Sequence, residues 1–388
     1  MDAKQWGVYV HIPFCRQKCF YCDFPSFAGR ERYWEDYTGA LCREIAVRGS
    51  YYRQQWGKPA TIYLGGGTPS ILPEKFMKQL LSELRQIFLP DGKAEEFTVE
   101  CNPGTVDEPY LAMLRNRGVN RLSFGVQSFD DTLLKRIGRI HNGQQAVDAV
   151  AMARRVGFAN LSLDLMYGLP GQTLEQLKES VEQALSLKPE HISIYGLQLE
   201  EGTAFYRMQE LGKLNLPTDD VTEAMYDYMT EYLPSQGYER YEISNFARPG
   251  FESRHNMSYW QDVPYLGVGA AAHSYLDGQR WAAFAELDRY MDAIKENRIP
   301  VEPEEAATTA IAIEEFCFLA LRTAKGISRE KFLQKFGREM DVWYGTVLRD
   351  LSARKLLVDD GRYVRLTRQG MKYGNLVFEK FLLDAQDF

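Results

Sequence analysis

Six β-rich apolar runs punctuate the first half of the chain, with stretches of helical period between and after them. The runs lie at 6–14 (WGVYVHIPF), 60–67 (ATIYLGGG), 95–102 (EEFTVECN), 121–128 (RLSFGVQS), 160–168 (NLSLDLMYG) and 191–199 (HISIYGLQL). The helical stretches fall at 31–55, 73–88, 107–117, 143–156, 173–187 and 218–236. Pro73 stands near the start of one, and Gly118 and Gly157 close two others, as helix start and stop chemistry favours. Strands separated by helices of this length pair in parallel, because each crossover returns the chain in the same direction. Six such units predict an α/β fold with a partial, TIM-like (β/α)6 barrel; a doubly wound sheet is the less favoured arrangement.

Interior parallel strands read as unbroken apolar runs when both faces are buried. Here the pattern alternates toward the C-terminal ends. Thr98 and Glu100 fall opposite Phe97, Val99 and Cys101; Gly125 and Gln127 opposite Phe124 and Val126; Ser162 and Asp164 opposite Leu163 and Leu165. Gly65, Gly66 and Gly67 end the second run. One such residue caps a helix or satisfies a loop; five strand ends in a row predict a pocket at the barrel's C-terminal mouth.

The first run ends in Cys15-Arg-Gln-Lys-Cys19-Phe-Tyr-Cys22, a CxxxCxxC loop aimed at that mouth. Three thiolates hold three irons of a 4Fe–4S cubane and leave the fourth iron open, as a catalytic metal site requires. Zinc is the competing ion, with His11, Cys42 or Cys101 as its fourth donor. Cys42 lies within a helical stretch and Cys101 on an outward strand face, so both read as buried thiols.

The loop resembles that of the radical S-adenosylmethionine (SAM) superfamily. In order, VYVHIPFC, YLGGGTPS, ECNPG, RLSFGVQSF, Ile-Gly-Arg139 followed by His141, and DLMYGLPGQT resemble its oxygen-independent coproporphyrinogen III oxidase branch. The resemblance covers about residues 5–200 densely and the rest more loosely. It implies that SAM chelates the open iron and that an electron from the cluster cleaves it to methionine and a 5′-deoxyadenosyl radical. The implied SAM contacts are Tyr9, Tyr21, Gly66, Gly67, Thr68, Glu100, Gln127, Arg139 and Asp164, with Cys15, Cys19 and Cys22 on the cluster.

Two departures narrow the resemblance. The decarboxylating enzymes carry CxxxCxxCxC, and the fourth cysteine's position is Phe24 here. They also have a longer arm before the first strand. Both departures resemble the sister heme chaperone HemW family, as does His255-Asn-Met-Ser-Tyr259-Trp260, which matches its HNxxYW motif. The implied function is to bind heme through His255, with Tyr259 and Trp260 along the porphyrin, and to transfer it to an acceptor apoprotein. The alternative is oxygen-independent coproporphyrinogen III dehydrogenase activity; a radical SAM enzyme on an RNA or another cofactor is a third. The implied partners are heme, an acceptor heme protein at a membrane or free of it, an electron donor and a second copy in a homodimer. His273, in GAAAHSY, reads as a buried, hydrogen-bonded core histidine.

The 388 residues predict a large domain and a smaller one: a barrel at 1–240, an extension with the HNMSYW motif and the VEPEEA linker at 241–304, and a C-terminal unit at 305–388. The C-terminal unit reads as helices near 307–323, 328–336 and 341–354, a hairpin at Asp359-Asp360-Gly361 and a last helix at 367–383, a winged-helix-like order. A formal net charge of −7, with two aspartates at the wing tip, excludes a general nucleic-acid binder. MDAKQWGVYV carries no basic region followed by a long apolar stretch, and no run reaches a membrane span, so a cytoplasmic protein is expected.

Overall fold

The computed structural model describes residues 5–90, 92–302 and 308–383. Its centre is six parallel strands in sequence order: β1 (Gly7–Ile12), β2 (Thr61–Gly66), β3 (Glu96–Cys101), β4 (Arg121–Gln127), β5 (Leu161–Tyr167) and β6 (His191–Gly196). Five expected helices are found within one residue of their predicted limits, at Glu74–Phe88, Glu108–Asn116, Gly143–Val156, Leu174–Ser186 and Asp219–Ser235. Gly157 ends Gly143–Val156 in the left-handed conformation at φ 95°. The first helix is interrupted: Trp34–Glu44 passes through a π turn at Ile45–Gly49 into Ser50–Trp56. Gly49 lets this turn press against Phe88, because a Cβ there would stand 2.6 Å from the Phe88 ring.

The sheet stays open and grows to twelve strands. Beside β6, β7 (Asn245–Ala247) runs antiparallel. On the free edge of β1, β8 (Tyr265–Val268) adds a further parallel strand, with Gly7 opposite Tyr265 and Val10 opposite Val268. The strands His273–Leu276, Gln279–Ala283 and Val301–Glu302 continue outward from it. The extension expected over 241–304 is thus built of strands, which no apolar run in its sequence declares. The linker expected at 301–306 pairs its first two residues with Ala282 and Ala283, and its remaining residues lie outside the described ones.

One face of the central strands is apolar and sealed. Val8, Val10, Ile12, Ile62, Leu64, Phe97, Val99, Leu122, Phe124, Leu163, Leu165 and Ile192 are wholly buried against the surrounding helices. Each such side chain contributes about 1.5–3 kcal/mol of burial. The opposite face carries Thr61, Tyr63, Glu96, Thr98, Arg121, Ser123, Ser162, His191 and Ser193. Polar alternation therefore runs the whole length of the strands, not only near their C-terminal ends. The interior is a lined cavity, where an ordinary TIM barrel stacks branched aliphatic layers.

The C-terminal unit has its own core, formed by Ile313, Cys317, Phe332, Met340, Tyr344, Leu351 and Val364 among others. Its order is Thr309–Leu321, the short strand Ile327–Ser328, Arg329–Phe336, Asp341–Ala353 and the hairpin Leu357–Asp359/Tyr363–Leu366, the anticipated winged-helix order. The last helix is not continuous: it breaks at Tyr373 into Arg368–Lys372 and Gly374–Phe378. The unit docks on the barrel where Ala324 N–H donates to Tyr241 O at 2.9 Å and Thr323 bridges Glu242. Lys372 pairs with Glu223 and Asp227 at the same seam. Among the described residues, no helix is long and apolar enough to cross a membrane.

Candidate functional site

A cavity of about 820 Å³ occupies the polar side of the sheet. All the residues that the resemblance implies for cluster, SAM and heme line it: Cys15, Cys19, Cys22, Tyr9, Tyr21, Gly66, Gly67, Thr68, Glu100, Gln127, Arg139, Asp164, His255, Tyr259 and Trp260.

The cysteine loop closes the end nearest the strand C-termini. Phe20 N–H donates to Ile137 O at 3.1 Å, Gln17 Nε2 to Gly138 O at 3.2 Å, and Phe205 N–H to Phe20 O at 2.9 Å. The loop is thus held by the segment after the short helix Asp131–Arg136 and by the start of Ala204–Glu210, neither of which the hydrophobic pattern revealed. Cys15 Sγ lies 3.6 Å from Thr68 Oγ1, and Arg139 Nη1 donates to Cys19 Sγ at 3.6 Å. Burial pushes the Cys22 thiol up to about 11 and raises Cys15 as well, so a bound cation would favour their thiolate forms at neutral pH. Among the described residues, no three His, Cys, Asp or Glu side chains converge as one ion would need. Three free thiols spread along one wall suit a cluster, in which each iron takes a single thiolate.

The glycines form a cradle beside the loop. Gly66 has φ +112°, and a Cβ there would lie 2.5 Å from the His11 ring; at Gly67 it would lie 2.6 Å from Phe14 O. Only hydrogen fits at either position, which lets this turn pack directly on His11 and the Phe14 backbone beside the cysteine loop. Glu100 stands over the cradle, accepting from Tyr63 Oη at 2.7 Å and Gly66 N–H at 3.2 Å. Desolvation, and after it the nearby Asp164 carboxylate, hold Glu100 up to about 7 against the Tyr63 and Gly66 hydrogen bonds. Asp164 accepts from Ser123 Oγ at 3.2 Å and Ser162 Oγ at 3.3 Å, and burial raises it too. Gln127 sits on a bulge between β4 and β5 with φ 67°, a distortion that turns it toward the cavity. Cradle, acids and thiols together fit a ligand with an ammonium, hydroxyls and a carboxylate beside a cluster.

The HNMSYW motif is a short helix, Arg254–Trp260, set against the N-terminal ends of β1, β2 and β3. Glu96, the first residue of β3, accepts from the N–H of Arg254 at 2.9 Å and of His255 at 3.0 Å. His255 is buried; its Nδ1 meets Thr61 Oγ1 at 2.7 Å and its Nε2 meets Tyr259 Oη at 2.8 Å. Its ring stacks on Tyr63 at 5.0 Å, and burial first, then the Arg121 charge, bring it down to about 3. It is a neutral imidazole, but both nitrogens have partners, so coordinating iron requires Tyr259 to release Nε2.

His273 is exposed at the start of the strand His273–Leu276, which corrects the expectation of a buried core histidine. The alternating pattern of His273–Leu276 turns Ser274 and Leu276 inward instead. Cys42 and Cys101 are buried as anticipated. Tyr63, Arg121 and Arg322 are among the cavity residues that had no sequence signal. Arg121 opens a strand, where a charge reads as surface, and Arg322 follows Thr309–Leu321, where it reads as a helix C-terminal charge.

Fold and cavity together define a radical SAM protein: the Radical SAM superfamily profile matches residues 9–184, and the HemN C-terminal domain profile matches residues 310–373. Coproporphyrinogen III oxidase (HemN) from Escherichia coli, described as a radical SAM enzyme, shares the fold at a TM-score of 0.84 and 23% identity, over 98% of this chain and 90% of that one. The full-length relatives are more specific. Heme chaperone HemW of Bacillus subtilis is 41% identical over 97% of this chain and 99% of its own. Heme chaperone HemW of Lactococcus lactis is 41% identical over 100% of both, and that of Escherichia coli 34% over 97% and 98%. This chain belongs to the heme chaperone HemW family.

Proposed function

We propose that this protein binds heme and delivers it to an acceptor apoprotein, carrying a 4Fe–4S cluster and SAM in the same cavity. The observation that carries the reading is the 41% identity with Bacillus subtilis heme chaperone HemW from end to end. Phe24 supports it: where the decarboxylating enzymes carry a fourth cysteine, this chain has a 61% exposed phenyl ring at the cavity lip.

Cys15, Cys19 and Cys22 would hold the cluster. When bound, the cluster supplies an electron and an open iron position for SAM's amino and carboxylate groups. Gly66, Gly67 and Thr68 would lay backbone along SAM, Glu100 and Asp164 would take its ammonium and ribose hydroxyls, and Gln127, Tyr9, Tyr21 and Arg139 would complete its wall. His255, held neutral, would offer Nε2 to heme iron once Tyr259 turns away, with Tyr259 and Trp260 along the ring. An electron donor, a membrane-associated or free acceptor heme protein, a homodimer and a cytoplasmic location belong to the same proposal; nucleic acid does not.

The test is anaerobic reconstitution followed by heme titration of wild type and His255→Ala. Binding that is unchanged in the variant removes His255 as the ligand. Incubation of reduced protein with SAM and coproporphyrinogen III is the second arm, and SAM-dependent release of carbon dioxide would overturn the chaperone reading in favour of the dehydrogenase.

A further inference from the structure

Acids and arginines border the cavity, and their hydrogen bonding is lopsided. Four buried or half-buried acids in or beside its wall are provided for. Glu96 takes the N–H groups of Arg254 and His255; Glu100 takes Tyr63 and Gly66; Asp164 takes Ser123 and Ser162. Glu242 accepts from Ser244 N–H at 2.7 Å and from Asn245 Nδ2 at 2.6 Å. Arg139 donates to Gly125 O and to Cys19 through its two Nη groups, and its Nε is buried with no partner among the described residues.

Arg121 and Arg322 differ. Nε and Nη1 of Arg121 and Nε of Arg322 are buried with no hydrogen-bond partner among the described residues. The carboxylates that offset their charge, Glu96 for Arg121 and Glu242 for Arg322, spend oxygens on the donors just named. Arg121 is 1% exposed and shares a register line with Tyr9, Tyr63 and Thr98 across four strands. Arg322 comes from the other side, at the end of Thr309–Leu321, and lies over the Trp260 ring at 4.5 Å. The Trp260 Nε1 is likewise buried without a partner. Leaving charged donors unmet in a buried wall is costly unless a ligand meets them.

We infer that Arg121 and Arg322 are carboxylate anchors for a planar aromatic dicarboxylate, the aromatic floor of Tyr63, Tyr259 and Trp260 receiving its ring. Arginine suits the task, since its fork matches a carboxylate and its plane stacks on an indole. The identity of the ring rests on the heme reading above, and the carboxylates are then the two propionates. The C-terminal unit thereby contributes a binding group of its own.

The experiment titrates heme and heme dimethyl ester, in one detergent-containing buffer, into full-length wild type, Arg322→Gln and Arg121→Gln, following the Soret band and tryptophan fluorescence. A charge-assisted hydrogen bond predicts that wild type prefers heme to the ester by about ten- to hundredfold. Each variant keeps one anchor and is expected to lose about half of that preference on a logarithmic scale while binding the ester as wild type does; a preference unchanged in Arg322→Gln overturns the inference. Arg121 is built into the barrel wall, so Arg322→Gln, on a partly exposed residue, carries the test by itself if Arg121→Gln does not fold. Equal affinity of wild type for heme and ester overturns the inference and leaves the heme reading standing, as does a loss in Arg322→Gln that is the same for both. If neither porphyrin binds wild type, the heme reading fails and the anchors fail with it.

Discussion

Glu100→Gln isolates the cost of holding an acid in this cavity. An acid whose folded pKa is raised binds its proton more tightly in the folded protein. Folding gains from it at low pH and loses that gain as pH rises from the ordinary value of 4.5 to about 7. At about 1.4 kcal/mol per pH unit the loss comes to roughly 3 kcal/mol, and partial exposure to the cavity reduces it to about 2 kcal/mol. Glutamine keeps an acceptor for Tyr63 Oη but turns a donor toward Gly66 N–H or leaves it unmet, which costs about 1 kcal/mol. The variant is therefore expected to be about 1 kcal/mol less stable than wild type at pH 4.5 and about 1 kcal/mol more stable at pH 8. Urea unfolding of the apoprotein at the two pH values, followed by tryptophan fluorescence, measures the crossing. A difference of the same size and sign at both would refute the reasoning, because it would mean that Glu100 bears no charge penalty.

Gly67→Ala drives a methyl group onto Phe14 O, so reconstituted protein is expected to retain well under half of the wild-type iron and sulfide; Gly39→Ala, where a Cβ meets nothing within 4 Å, is the matched control and should load normally. Tyr259→Phe removes the hydroxyl that occupies His255 Nε2, and heme affinity in absorbance titrations is expected to rise about fivefold, the weight of a hydrogen bond of about 1 kcal/mol. Glu44→Ala strands Arg48 and withdraws the acceptor of Tyr290 Oη and Gly269 N–H, so unfolding midpoints should record a loss of about 3–5 kcal/mol, with early proteolysis near 267–272.

The parallel strands were legible because each carries enough β-branched and aromatic residues between helices to declare itself, and the glycine and cysteine positions followed from chemistry local to the chain. What stayed hidden depends on distant pairing. Tyr265–Val268 is too short to announce a strand, and it becomes one because β1 offers an unpaired edge in register. The break at Tyr373 interrupts a helical pattern whose two short halves, through Met371 and Val377, still pack on one core. His255 was assigned from its motif, but its two hydrogen bonds come from Thr61 and Tyr259, and no periodicity foretells the first of them. Arg121 and Arg322 were invisible for the opposite reason: both occupy positions where an ordinary surface charge would also sit.

The division of the strands into a sealed apolar face and a polar one also bears on how such a protein can change. The residues that hold the barrel together, such as Val8, Leu64, Phe97 and Leu163, point away from the cavity, whereas those that meet a ligand point into it from the same strands. Folding and recognition are thus written on alternate letters of each strand. A lineage can rewrite the inner letters, exchanging one cargo or chemistry for another, while the outer letters keep the scaffold standing.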